Sequence, residues 1–581
     1  MLRKTTVVTI SLLLVMALLL AACSSKVNNG PASGKTEKDS GNKPADTGNK
    51  PADTDKKEGA AGGGAEDNVV KPEDLQFPDA FPEVPTAVDY DKSYAYDDMS
   101  KSYSLDIMLG GFINQPATKD LIKEFYEKTF NVKINFTNLA GEDLINKTNV
   151  RFASGDAPDV VLLGDRAIAQ TLFKQNQLLD ATQILPYMPQ MMNYVTAEYK
   201  KWATDGGNMI GIPRLPTFPD VWGNFIRQDW LEKLGMEMPK TADELFEYAK
   251  AVAERDPDGN GKADTWFMGA AGAGQGWGMM AGLIDMFGHR SWNVKDDKIN
   301  HPMLDGTTKA FLEFVKKLND NKLLAPDWYT IQWEQFKSYS LQNKIGMVNY
   351  PGWNLLQEQF SASQNNADTL KNWAPVPPLT SAQNSDGKLG PGGSPGGIFI
   401  ISKKVGDDPG KMKRIAHFLD AVQYPNKYYW VGNQGGGPEI WPDYTKVTKN
   451  DDGTYYYDSD MVTLQNEMKP ELKGMMDWQS VGYTLIWERH KYSPEFPYNE
   501  AGDKYQDIVR SYPRVKNYDM LLNLDGPTSN RIKDFVQKNE IAFVLGKRSF
   551  DDWDKYVEEW KKAGGQKLID QAAEQLGAGK P

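Results

Sequence analysis

The chain of 581 residues contains a single cysteine, so no disulfide can form within it. Its stability must come from packing, or from a bound metal, rather than from cross-links. Histidine is almost as scarce: His289, His301, His417 and His490 are scattered without metal-ligand spacing,. Clustered Lys and Arg are also missing, and the net charge is -12; that balance argues against nucleic acid as a partner. The apolar run Ile10 to Leu20 is too short for a stable membrane span,. Against these absences, apolar and charged residues occur in ordinary proportion over a length that suggests two or more domains. The excess is aromatic, with 16 Trp and 26 Tyr.

Arg3 and Lys4 precede that apolar run, and Leu20-Ala21-Ala22-Cys23 follows it. A basic, then apolar, then small-residue order describes an export signal over residues 1–22. The segment resembles the lipobox of bacterial lipoproteins, which implies that Cys23 becomes the lipid-modified first residue of the mature chain, carrying acyl chains such as palmitate. Each buried CH₂ contributes roughly 0.8 kcal/mol, so several chains on one cysteine hold a folded body at the outer face of the cell membrane. Residues 24–70 are Gly, Ser, Asn, Lys, Asp and Pro, with Gly-Asn-Lys-Pro-Ala-Asp-Thr repeated in tandem from Gly41 to Thr54. Such a composition cannot bury enough surface to fold, so residues 23–70 read as a lipidated cysteine with a disordered tether. Residues 71–102, rich in Pro and aromatics, read as an extension wrapping the surface.

Regular structure begins near Tyr103. Leu105, Ile107 and Leu109 alternate as a strand, Leu121, Ile122, Phe125 and Tyr126 recur at helical spacing, and Val132, Ile134 and Phe136 alternate again,. A second helix is expected over Glu142 to Ala153, and Val160 to Leu163 is an apolar strand of the buried kind. Strand, helix, strand, helix, strand implies an α/β sheet with parallel pairing. Ligand loops of open α/β sheets sit at the carboxyl ends of strands, which singles out Asn114, Gln115 and Asp165.

The pieces Ala153-Ser-Gly-Asp-Ala-Pro-Asp159, Ile210-Gly-Ile-Pro213, Ile226-Arg-Gln-Asp-Trp-Leu-Glu-Lys-Leu-Gly235 and Pro239-Lys-Thr-Ala-Asp-Glu244 together resemble extracellular solute-binding protein family 1. The resemblance is closer to its long, lipid-anchored oligosaccharide-binding members, related to alginate-oligosaccharide binders. It implies a Venus-flytrap fold of two α/β lobes joined by crossing strands: residues 103–215 with 373–422 as lobe one, 216–372 with 423–581 as lobe two. It further implies a monomeric receptor, not an enzyme, that takes an oligosaccharide in the interlobe cleft and delivers it to ABC permease subunits. The first crossing is expected near Pro213 to Asp220, where Pro213, Pro216 and Pro219 restrict the backbone. The Gly-rich run before Ile398-Phe-Ile-Ile401 suits the return.

Thr241-Ala-Asp-Glu244 has the capping-box pattern, so a helix should run from there to about Arg255. Asp256, Asp258, Asn260 and Asp264 follow at loop positions one, three, five and nine, with Gly261 at six. That order points oxygens at one centre, as Ca²⁺ requires; a plain Asp/Gly/Asn turn is the alternative. Position twelve is Phe267 rather than Glu, which argues against a helix-loop-helix sensor. The family resemblance adds the backbone carbonyl of Lys262 and places Thr265 where relatives often carry an acid. The metal's expected role is structural, and no catalytic cofactor is expected.

Trp353, after Tyr350-Pro-Gly, stands where the resemblance puts a stacking Trp, with Tyr350 beside it. Trp277 in Gly274-Gln-Gly-Trp277, with burial of its ring in the core as the alternative, and Trp441 beyond Gln434-Gly-Gly-Gly-Pro-Glu439 are further candidate sugar platforms. Arg214, Arg227 and Asp229 are candidate polar partners, although Arg227 and Asp229 read better as an ion pair at a strand-to-helix turn. Two rivals stay open: a receptor for peptides or other non-sugar solutes on the same fold, and a surface glycoside hydrolase, which needs only two of the 78 acids,.

Overall fold

The alternation at Leu105, Ile107 and Leu109 builds the first strand of the larger sheet, β1 (Tyr103–Gly110),. The computed structural model describes residues 69–82, 86–110, 119–139, 141–164, 166–214, 222–433, 447–449, 455–457, 478, 481 and 497–581. The export signal, Cys23 and the tether to residue 68 lie outside them. No helix among the described residues is long and apolar enough to cross a membrane.

From β1 the chain runs through α1 (Leu121–Thr129), β2 (Val132–Leu139), α2 (Gly141–Ala153), β3 (Val160–Leu163) and α3 (Arg166–Lys174). The short β4 (Ile212–Pro213) precedes β5 (Trp222–Arg227), α4 (Gln228–Leu234) and α5 (Ala242–Glu254). Then come α6 (Thr307–Asp320), α7 (Trp333–Leu341), β6 (Met347–Pro351), α8 (Gly352–Ala362) and β7 (Trp373–Pro375). Next are β8 (Ile398–Ile401), α9 (Pro409–Ala421) and α10 (Tyr498–Ser511). Helices α11 (Gly526–Val544), α12 (Trp553–Trp560) and α13 (Gln566–Leu576) follow.

The larger sheet has the order β2-β1-β3-β8-β4, with β1 parallel to both neighbours and β8 antiparallel to β3 and β4. Every residue of β3 and β8 is buried, the mark of strands covered on both faces. The smaller sheet is antiparallel, β6-β5-β7.

Residues 63–581 form one unit with two principal hydrophobic cores, so the α/β architecture has two lobes. Lobe one packs residues between Tyr94 and Ile212 with those of Ile398 to Val431, Trp478 and Val481. Lobe two packs Phe225 to Leu379 with Val509 to Ala573. Tyr94 and Tyr96, from the segment before the first strand, are buried in lobe one. Trp373, where the sequence reading has the chain re-enter lobe one, pairs with Arg227 in the smaller sheet and is buried in the lobe-two core; the chain joins the larger sheet at β8.

The lobes also touch behind the crossing strands. Arg166 at the start of α3 donates to the Leu522 carbonyl at 3.1 Å, and Arg166 and Gln170 both donate to the Asn523 side chain. Gly526 sits so close to Ala167 that a Cβ there would meet its methyl at 2.7 Å.

Candidate functional site

The segments that leave and re-enter lobe one are paired to each other. The Arg214 N–H donates to the Gly397 carbonyl at 2.8 Å, and the Gly396 N–H donates back to Arg214 at 3.2 Å. Gly397 has φ +145, and a Cβ on it would lie 2.5 Å from the Leu163 carbonyl oxygen. Only glycine lets the return strand pass this close to β3.

Trp222 is the first residue of β5 beyond the crossing, opposite Pro351 of β6. Its indole is 43 % exposed, and its ring lies 6.2 Å from those of Trp333 and Tyr350. Trp333, at the start of α7, stacks on Tyr350 at 5.1 Å and 15°. The Tyr350 hydroxyl donates to Glu358 at 2.8 Å, and Glu358 pairs with Lys337 at 2.7 Å. Burial first, and the Glu358 carboxylate second, push the Tyr350 hydroxyl well above its ordinary pKa, so it stays a proton donor. Beneath this shelf the Asn349 amide donates to Asn224 at 2.8 Å, and Gly282 leaves the room those amides need. Three rings from three elements, backed by amides and one half-buried ion pair, form an aromatic platform at the mouth of the crossing.

Of the residues singled out by sequence, Tyr350 belongs to this shelf. Arg214 lies on the crossing itself. Trp353 is half-buried at the start of α8, its ring edge-on to Tyr498 at 5.7 Å, with Gly502 of α10 close against it; it joins α8 to α10. Trp277 is half-buried too: its indole N–H donates to Glu540 at 2.8 Å, and its ring stacks on Trp328 at 6.3 Å. Asn114, Gln115, Asp165 and Trp441 lie outside the described residues. Arg227 and Asp229 make a two-pronged ion pair at 2.7 and 2.6 Å, which fixes the β5-to-α4 turn. Sequence reasoning missed Trp222 and Trp333. The signal for Trp222 was its place at the head of an alternating strand directly after the proline-rich crossing.

The Asp/Gly/Asn loop follows α5 as expected, and the capping box at Thr241 is complete. The Asn260 amide donates to Asp258 at 2.7 Å and to Asp264 at 3.0 Å, and the Gly261 N–H donates to Asp256 at 2.8 Å. The Lys344 ammonium pairs with Asp264 and lies 3.9 Å from Asp258. Burial, then the neighbouring Asp256, raise the Asp258 carboxyl above its ordinary pKa: acids are crowded around donors that stand where a cation would. The Thr265 hydroxyl is turned inward, donating to the Val252 carbonyl at 2.7 Å. Among the described residues no group of three or more His, Cys, Asp or Glu side chains is set to hold a metal ion. The hard oxygen donors suit Ca²⁺ in kind, with the Asn260 amide and Lys344 occupying their midst.

Comparison with known proteins places this geometry. Residues 110–419 match the family described as bacterial extracellular solute-binding proteins. The polygalacturonan/rhamnogalacturonan-binding protein YtcQ of Bacillus subtilis (strain 168) is 23 % identical over 478 residues, 79 % of this chain and 88 % of that protein. Among solved structures, the S. pneumoniae ABC-transporter substrate-binding protein FusA in complex with kestose aligns with a TM-score of 0.62 at 19 % identity, covering 81 % of this chain and 98 % of that one. The alginate-binding protein AlgQ2 without calcium ion aligns at 0.63 and 17 %, covering 83 % and 100 %. With the two-lobed fold these structures share and a match over more than half its length, the chain belongs to the bacterial extracellular solute-binding protein family.

Proposed function

We propose that this chain is the lipid-anchored receptor of an ABC importer and that it captures an oligosaccharide between its lobes. The observation that carries the proposal is the exposed Trp222 indole, backed by Trp333 and Tyr350, at the point where the chain passes from one lobe to the other. Exposed ring faces stack on the C–H faces of sugars, and here three rings are grouped rather than scattered singly. The sugars named for YtcQ and for the FusA complex support the same ligand class. Asn114, Gln115, Asp165, Arg214 and Trp441 are the polar and aromatic groups proposed to complete the cleft. Closure of lobe two onto lobe one would present both surfaces to the permease, so the ligand acts by shifting a population between open and closed forms. No covalent step is needed, and the receptor returns its ligand unchanged.

On this reading the export signal is removed, Cys23 carries the lipid, and the chain to about residue 70 tethers a monomeric two-lobed body outside the cell. Lobe one comprises the core from Tyr94 to Ile212 with Ile398 to Val431, and lobe two the core from Phe225 to Leu379 with Val509 to Ala573. Ca²⁺ would be held by Asp256, Asp258, Asn260 and Asp264, helped by the Lys262 backbone, once Lys344 is displaced. Its role would be to fix the end of α5.

Intrinsic tryptophan fluorescence, titrated with a panel of plant and bacterial oligosaccharides and a peptide library, tests the main reading. A saturable change with at least one oligosaccharide is expected; a response to peptides alone would overturn it. For calcium, the thermal midpoint should rise with added Ca²⁺, fall with chelator, and lose both responses in Asp256→Ala. An unchanged midpoint would sink that part.

A further inference from the structure

Lobe two contains a second aromatic site that shares no residue with the shelf. It is a cavity of about 410 Å³ between the Gln275–Trp277 loop and α11, floored by Trp560 and Leu568 and walled by Trp277, Trp292 and Tyr329. That volume is within the roughly 300–1,000 Å³ of small-molecule sites. We propose that this cavity is a saccharide subsite that holds one or two rings of a glycan chain independently of the interlobe cleft.

Two observations carry the inference. The walls are rigid before any ligand arrives: Trp277 is pinned by its hydrogen bond to the buried Glu540 and by edge contact with Phe311 at 5.2 Å. Trp292 is clasped against His301 at 4.5 Å, and His301 stacks on Trp560 at 5.0 Å. Pre-set aromatic walls spare a ligand the ordering cost of binding. The rim, in contrast, is polar. Gln275 and Gln537 bridge the mouth with a side-chain hydrogen bond of 2.7 Å, and Ser529 and Lys533 line the same edge. Amide, hydroxyl and ammonium groups around an apolar floor match a sugar, whose hydroxyls lie at the ring edge and whose C–H groups form its faces.

The site differs from the cleft in one mechanical respect. All its lining residues belong to segments of lobe two, Gln275 to Tyr329 and Leu524 to Leu568, so its shape does not depend on lobe closure.

The full chain labelled with 5-fluorotryptophan provides the test, with ¹⁹F resonances assigned through single Trp→Phe replacements. Methyl β-glucoside, cellobiose and, as an apolar control, indole are the probes. The Trp277 and Trp560 resonances are expected to shift with the saccharides, to keep shifting in Trp222→Ala, and to stop in Val536→Phe, which fills the cavity with a ring. Gln537→Ala should weaken the response roughly tenfold while leaving the thermal midpoint in place. Shifts at Trp222 and Trp333 with the cavity resonances unmoved would overturn this proposal and leave the cleft reading intact. Cavity shifts with a silent shelf would do the reverse. A response to indole but to neither saccharide would overturn the ligand class.

Discussion

The two lobes are held together by different physics. Lobe one is built on aliphatic strands and carries its charges inside: Arg414, fully buried, meets Asp97 at 2.6 Å, and His417 reaches the same carboxylate at 2.8 Å. Tyr90 closes the chain of contacts at 2.8 Å from the other His417 nitrogen. Burial works to raise the Asp97 carboxyl, but the hydrogen bonds from His417 and Arg414 overcome it and leave its pKa lowered. Rings pack in both lobes, around Tyr94, Tyr126 and Phe130 in lobe one and around Trp277, Trp328 and Tyr556 in lobe two; lobe two differs in its small antiparallel sheet and its buried tryptophans. There Trp230, Trp373 and Trp560 are buried with indole N–H groups unpaired among the described residues, and Arg227 lies 4.3 Å over the Trp230 ring. Lobe one therefore depends on a few long-range polar contacts that must all be made. Lobe two spreads its stability over aromatic packing that tolerates unsatisfied donors, and the same ring-rich composition supplies its binding surfaces.

Removing one partner of the buried pair should expose the contrast most strongly. Asp97→Ala leaves Arg414 charged and unpaired in the core, and the expected loss is about 3–5 kcal/mol, read as an early transition in urea unfolding followed by far-UV dichroism. A loss below 1 kcal/mol would show that lobe one does not rest on this network. In lobe two the corresponding buried charge is Glu540, raised by burial to about 7 despite its hydrogen bond from Trp277. Because the folded state holds that proton more tightly than the unfolded chain, its contribution is complete below pH 4.5 and is lost as pH rises through about 7,. The change is on the order of 2 to 3 kcal/mol. Glu540→Gln keeps an acceptor for Trp277 and should remove Glu540's share of the slope between pH 4.5 and 7, leaving that of Asp420, raised to about 7, and Asp519, raised to about 6; an unaltered slope would contradict the assignment.

Two tryptophans sharpen the comparison further. Trp222→Ala should cost about 1–2 kcal/mol of binding, roughly tenfold in Kd, with the thermal midpoint little changed, because nearly half of its surface is in solvent. Trp353→Ala should do the opposite, lowering stability by removing the contact between α8 and α10 while the remaining folded protein binds normally. Calorimetric titration beside thermal melts separates the two, and exchanged phenotypes would move the binding platform to Trp353.

Local order was well written in the sequence; the sites were not. The capping box placed the start of α5, and the uninterrupted Val160–Leu163 and Ile398–Ile401 runs became the buried β3 and β8, because near-neighbour chemistry decides such elements. Helix α11 starts at Gly526 because Asp525 caps the Thr528 N–H and Pro527 occupies the first turn,. The shelf was legible only in part, as Tyr350. Trp222, Trp333 and Tyr350 come from three elements, and no periodicity connects them. For Trp277 the sequence left exposure and core burial both open; its partner Glu540 lies 263 residues away, beyond any spacing rule. Contacts of that kind belong to tertiary packing, which a single sequence does not display.

The smallest expected effect tests whether the lobes are thermodynamically separate. Thr241 accepts from the Glu244 N–H at 3.2 Å, and the start of α5 is tied to the return segment, where the Ala242 N–H donates to the Thr380 carbonyl at 2.9 Å. Thr241→Ala should cost about 1 kcal/mol, confined to lobe two. Combined with Asp97→Ala it adds a change in the other core with no shared partner, so the two losses should sum to within about 0.5 kcal/mol. Agreement would mean that each lobe keeps its own account of stability and that closure leaves both cores intact. A coupling of 1 kcal/mol or more would instead run through the contact where Arg166 and Gln170 meet Asn523. Asn523→Ala in the same background should then abolish it, because that side chain joins α3 of lobe one to the segment leading into α11 of lobe two.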